Sequence, residues 1–154
     1  MKEIIKNILQ RMRPIVEANW GTGYHMRAVG LDHPARYMLN LTDSVTHGYV
    51  MAKEMREHDE PDWRVYSKEE FQKLSKGCGF CIEGAEIIAT ADYAQENNQE
   101  EGRAHVIFHH VHRAIYKACV AVIEDHHEMV AEYNDNATKE VMLLVINKAI
   151  EDNE

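Results

Sequence analysis

Cys78-Gly79-Phe80-Cys81 has the two-residue spacing of a dithiol redox site. At a helix start, the helix dipole would lower the pKa of the first thiol and favour thiolate attack. A thioredoxin-type fold leads into this motif on a buried strand and sets a cis-proline against the cysteines later in the chain. Here Phe71-Gln72-Lys73-Leu74-Ser75-Lys76 precedes the motif and reads as helix, and Pro14, Pro34 and Pro61 all come earlier. The stretch from Cys78 to Ala85 therefore reads as the packed start of a core helix. Cys81 is its small core residue and Cys78 a partly exposed thiol.

His105, His109 and His112 fall within about 60° of one another on a helix. The spacing of His105 and His109 lets two imidazoles share zinc or another transition metal, with Cys78 or Cys81 as further ligands. Glu124-x-x-His127 matches half of a carboxylate-bridged di-metal pattern, but the chain has no second Glu-x-x-His. The competing reading is histidines flanking a core stripe. No Gly-rich phosphate loop, Gly-x-Ser-x-Gly elbow or His-Glu-x-x-His occurs. The loop Asn19-Trp20-Gly21-Thr22-Gly23-Tyr24 joins aromatics to flexible backbone. It suits either ligand contact, through Trp20 and Tyr24, or a tight turn that plugs the core with Trp20.

The elements that must position these residues read as mainly α: a single helical domain over 1–154, a bundle of five to six helices. Ile4, Ile5, Ile8, Leu9 and Met12 give an amphipathic first helix that Pro14 ends or kinks. Asp32-His33-Pro34 starts a second helix, with Met38, Leu41, Val45, Tyr49 and Ala52 on one face, running to about Met55. Only Trp63 to Tyr66 looks strand-like. Ser67-Lys68-Glu69-Glu70 is a capping box, Phe71 and Leu74 are the buried side of that helix, and Gly77 is a stop. Phe80, Cys81, Gly84, Ala85, Ile88 and Ala91 form the next apolar stripe. Ala104 to Tyr133 keeps helical periodicity through Phe108, Val111, Ile115, Ala118, Val122 and Met129. It reads as one helix of about 45 Å or two with a break near Asp125. Asn134-Asp135-Asn136 is a turn, and Thr138 caps a last helix with Val141, Leu144, Val145 and Ala149 inward.

With 154 residues, 45% apolar and 28% charged, the chain is an ordinary one-domain globular protein. Its apolar runs are too short for a membrane span, and its start, Met-Lys-Glu, lacks the apolar centre of a signal sequence. Three cysteines fit free thiols in a cytoplasmic protein. A net charge of −9 speaks against direct nucleic-acid binding. No Lys or Arg lies between Lys117 and Lys139, where Glu124, Asp125, Glu128, Glu132 and Asp135 accumulate, and Asp92, Glu96, Glu100 and Glu101 form a second acidic run. These runs are either solvated helix ends or a surface that docks on a basic protein partner, such as a nucleic-acid-binding protein. Assembly into a homo-oligomer fits the sequence equally.

Three segments together resemble an uncharacterised family of small bacterial and phage proteins, DUF6197-like. They are the first helix leading into Asn19 to Tyr24; Gly79 to Ala85; and Tyr133-Asn134-Asp135-Asn136-Ala137-Thr138-Lys139-Glu140-Val141 with Ile146 to Ile150. The resemblance covers about half of the chain, with 33–75 as an insertion or divergent region and Tyr133 where the family tends to show Trp. It implies no established activity. It implies that Cys81, Gly84, Asn134 and Asp135 belong to one constellation, and it points to a phage origin and the host cytoplasm. On this reading the constellation either locks two helices together or, with Trp20 and Tyr24, lines a ligand pocket. Lacking a complete catalytic set, the chain reads as a non-catalytic accessory factor. The alternative is a metal- or small-ligand-binding protein using His105, His109 and His112, and thiol redox ranks third.

Overall fold

In a computed structural model that describes residues 1–22, 26–28, 49–53, 62–66 and 78–154, the amphipathic N-terminal segment forms helix α1 (Lys2–Asn19). Ile5, Ile8, Leu9, Met12 and Val16 face inward and are at most 6% exposed. Full burial of each such aliphatic side chain contributes roughly 1.5–3 kcal/mol. That burial carries the helix past Pro14, which was expected to end or kink it. Pro14 sits on the exposed side, so the carbonyl one turn earlier that loses its amide partner faces water.

Among the described residues, four short strands follow. β1 (Met26–Ala28) pairs antiparallel with β4 (Cys78–Phe80), and β2 (Tyr49–Lys53) pairs antiparallel with β3 (Asp62–Tyr66). β3 matches the strand-like reading of Trp63 to Tyr66. β2 and β4 overturn two expectations. Tyr49 to Lys53 was read as the end of a helix, and Phe80 as already helical. In both, a partner strand supplies the ladder, and β2 carries Tyr49 and Val50 while β4 carries Phe80. Tyr24, the helix start at Asp32, the capping box at Ser67, Phe71, Leu74 and Gly77 lie outside the described residues.

Helix α2 (Ile82–Glu96) begins one residue after Cys81, whose Sγ accepts from the Gly84 amide at 3.4 Å. The helix is buried on nearly all sides, through Ile82, Gly84, Ala85, Ile88, Ala89, Ala91 and Ala94. Asn98 takes a left-handed turn (φ 49°), which asparagine tolerates, and redirects the chain into α3 (Glu101–Val122). Ile123 is extended, and the periodic stretch from Ala104 to Tyr133 breaks into two helices, α3 and the short α4 (Val130–Asp135). Thr138 caps α5 (Lys139–Glu151), with Oγ1 accepting from the Val141 amide at 3.3 Å.

α1 packs against α2, α3 and α5, while α4 bridges α2 and α3. The shared core joins Ile107, Val111, Ile115, Ala118 and Cys119 of α3 to Met142, Val145, Ile146 and Ala149 of α5. Two expected inward residues point out: Leu144 is 56% exposed and Met129 55%. The inward face of α5 is set by Met142, Val145, Ile146 and Ala149, one turn position away from Leu144. Among the described residues no helix is long and apolar enough to cross a membrane.

Candidate functional site

Asn134 ties three distant parts of the chain together. It lies in the last turn of α4 and is fully buried. Its Oδ1 accepts from Trp20 Nε1 at 2.8 Å and from the Ile82 amide at 3.0 Å. Its Nδ2 donates to the Gly21 carbonyl at 3.0 Å. The Gly21 amide in turn donates to the Phe80 carbonyl at 2.8 Å, beside a parallel bridge between Trp20 and Phe80. The Ile82 amide is one of the first amides of α2, which have no partner within the helix. Asn134 supplies that partner from another element.

Trp20 and Asn134, offered by the sequence as ligand contacts, bond each other here, while Cys81 Sγ accepts from the Gly84 amide. Asp135 is exposed on the outer side of the same turn. Burial pushes the Cys81 thiol up to about 12, and does the same to Cys119. Both stay protonated at neutral pH, the reverse of an activated redox thiol.

The three histidines of α3 have different surroundings. His109 is exposed. His105 is partly buried, and its Nε2 has no hydrogen-bond partner. The Nδ1 of His112 lies 2.7 Å from Glu86 Oε2 on α2. Among the described residues no group of three or more His, Cys, Asp or Glu side chains is placed to hold a metal ion. His105, His109 and His112 share a helix side but are not drawn into one ligand set, and no described carboxylate or thiol joins them in one.

Glu86 escaped the sequence reading. It is wholly buried, yet its Oε1 has no partner, and the buried Oγ1 of Thr90 one turn further on has none either. Burial raises the Glu86 pKa, and the His112 hydrogen bond opposes that rise without overcoming it. The same hydrogen bond raises the pKa of His112, with burial acting against it. The signal for Glu86 was present in the chain: it is the only ionisable residue between Glu83 and Asp92, in the buried stretch of α2.

The acidic run 124–135 lies on the surface. Glu124, Asp125, Glu128 and Asp135 are exposed around Met129. Glu132 lies 3.8 Å from His127 Nδ1, and the His127 ring meets Tyr133 edge-on at 5.0 Å. A polar notch between α1 and α2, lined by Asn7, Arg11, Tyr93 and Glu96, holds a pairing of Arg11 with Glu96 at 2.7 Å. No protein-family model, curated protein or solved structure matches this chain.

Proposed function

We propose that this chain is a helical binding protein that engages a basic protein segment through residues 123–135. One observation carries the reading. Glu124, Asp125 and Glu128 are exposed together, with the apolar side chain of Met129 55% exposed among them. No Lys or Arg interrupts this stretch of sequence. A surface of one sign steers an oppositely charged partner, and an apolar side chain at its centre adds contact area once water is excluded. The partner chemistry is a Lys- and Arg-rich segment, of the kind nucleic-acid-binding proteins carry.

The test is capture from a cell lysate by the full chain, run over a salt titration. It is paired with a variant carrying Glu124→Gln, Asp125→Asn and Glu128→Gln. A basic protein retained in stoichiometric amount at low salt, released as salt rises and lost with the variant supports the reading. Equal retention by the neutralised variant, or no retained protein at low salt, overturns it.

A further inference from the structure

We propose that Glu86 and His112 form a reactive carboxylate–imidazole dyad, in which the buried carboxylate holds the Nδ1 proton and His112 presents Nε2 to small uncharged acyl electrophiles. The site lies between α2 and α3 and is independent of the acidic binding surface.

The geometry is as follows. The 2.7 Å contact places the Nδ1 proton on the Glu86 side of the ring. Glu86 is fully buried and His112 is 36% exposed, so Nδ1 faces inward and Nε2 is the outward nitrogen. Phe108 stacks on the imidazole, with centroids 5.9 Å apart and planes at 25°, and restricts its rotation. A carboxylate on one ring nitrogen selects the tautomer and makes the other nitrogen a better base and nucleophile. Glu86 Oε1 accepts nothing, so His112 alone tempers the proton affinity that burial gives the carboxylate.

The surroundings select the electrophile. Glu83 acts on both members of the pair from α2. Cys81 at the start of α2 and Cys119 on α3 are thiols that the charge of Glu86 also acts on, and Thr90, one turn further along α2, has a buried Oγ1 without a partner. The buried residues of α1 are apolar, those of α4 are Val130, Tyr133 and Asn134, and β4 contributes Phe80. Two carboxylates with one imidazole disfavour phosphates and other anions and leave neutral carbonyl compounds as the fitting class.

The step balances with the residues present and such a donor. The Nε2 lone pair attacks the carbonyl carbon, and the bond from that carbon to the leaving oxygen breaks. The leaving group departs as an anion. The Nδ1 proton passes to Glu86 Oε2, giving a neutral N-acylimidazole beside a neutral carboxylic acid. Glu86 is a positioning and proton-accepting group, and His112 is the residue that touches the electrophile.

Diethyl pyrocarbonate is the probe, added in limiting amount to the full chain at a pH where free imidazoles are unprotonated. Peptide mapping by mass spectrometry follows each of the ten histidines. His112 should be carbethoxylated faster than the more exposed His109, His110 and His126. Glu86→Gln keeps the shape and an acceptor for Nδ1–H but removes the proton-accepting charge. It should slow His112 by about tenfold or more while leaving the other sites unchanged. The pH midpoint of His112 labelling should lie above the ordinary imidazole value of 6.5 and move down in Glu86→Gln. A His112 rate no greater than that of the exposed histidines, or one indifferent to Glu86→Gln, overturns the proposal.

Discussion

Replacing Asn134 by alanine removes one acceptor shared by two donors and one donor to a carbonyl. The Ile82 amide is buried and has no alternative partner within α2. Stranding such a group costs about 1–3 kcal/mol. Trp20 and Gly21 are only partly buried, so water can replace their lost bonds, at about 0.5–1.5 kcal/mol each. The total is about 2–6 kcal/mol, a large share of the roughly 5–15 kcal/mol that holds a domain of this size. Trp20→Phe should cost far less through this network, about 1 kcal/mol, because Oδ1 keeps the Ile82 amide. Asn134→Asp keeps both accepted bonds but loses the bond to Gly21 and buries a charge against a carbonyl, so its penalty should grow as pH rises. Urea denaturation followed by far-ultraviolet circular dichroism measures each variant. The double variant Trp20→Phe/Asn134→Ala should show a coupling of about 0.5–3 kcal/mol. An Asn134→Ala cost below about 1 kcal/mol, or strict additivity with Trp20→Phe, would refute the clasp.

Two further outcomes follow from buried titratable groups. Glu86 and His112 both bind protons more tightly in the folded chain than at their ordinary values of 4.5 and 6.5. Their contribution to stability is therefore complete below 4.5 and declines as pH rises through the raised folded values of the two groups. The thermal midpoint should fall from mildly acidic to mildly alkaline pH, and Glu86→Gln should flatten that dependence. A midpoint that rises over this range contradicts the assignment. Burial that pushes Cys81 and Cys119 to about 12 also predicts that neither reacts with an aromatic disulfide reagent at neutral pH in the native protein. Both should react at once in denaturant, and rapid native labelling of either, mapped by mass spectrometry, would show the thiol to be accessible.

What was legible in the sequence was local. The inward face of α1, the cap at Thr138 and the break near Asp125 come from periodicity and turn chemistry within short windows. What was not legible depends on distant partners. Cys78 to Phe80 is a strand because residues far earlier in the chain pair with it, as in Met26 with Phe80. Pro14 fails to end α1 because the helix beyond it is held by burial of Val16. In α5 the run Val141 to Ile146 is apolar throughout, so its periodicity leaves the inward face ambiguous. Neighbours on α1 and α3 choose Met142, Val145, Ile146 and Ala149 over Leu144.

The two buried polar centres differ in a way that separates architecture from chemistry. Asn134 is neutral, and its amide meets two donors and a carbonyl, so nothing about it remains to react. Such a residue fixes the mutual placement of three segments and is replaceable only at a cost in stability. Glu86 puts a carboxyl group into the buried stretch of α2, is answered on one oxygen only, and meets a ring that opens to solvent. An apolar pair of similar size would be as stable there or more so, because the attraction within a buried ion pair rarely exceeds the cost of desolvating it. Folding alone therefore gives little reason for a carboxylate at position 86. The proton it can hold for His112 gives one, and Glu86→Gln tests it directly through the fall in the reactivity of His112.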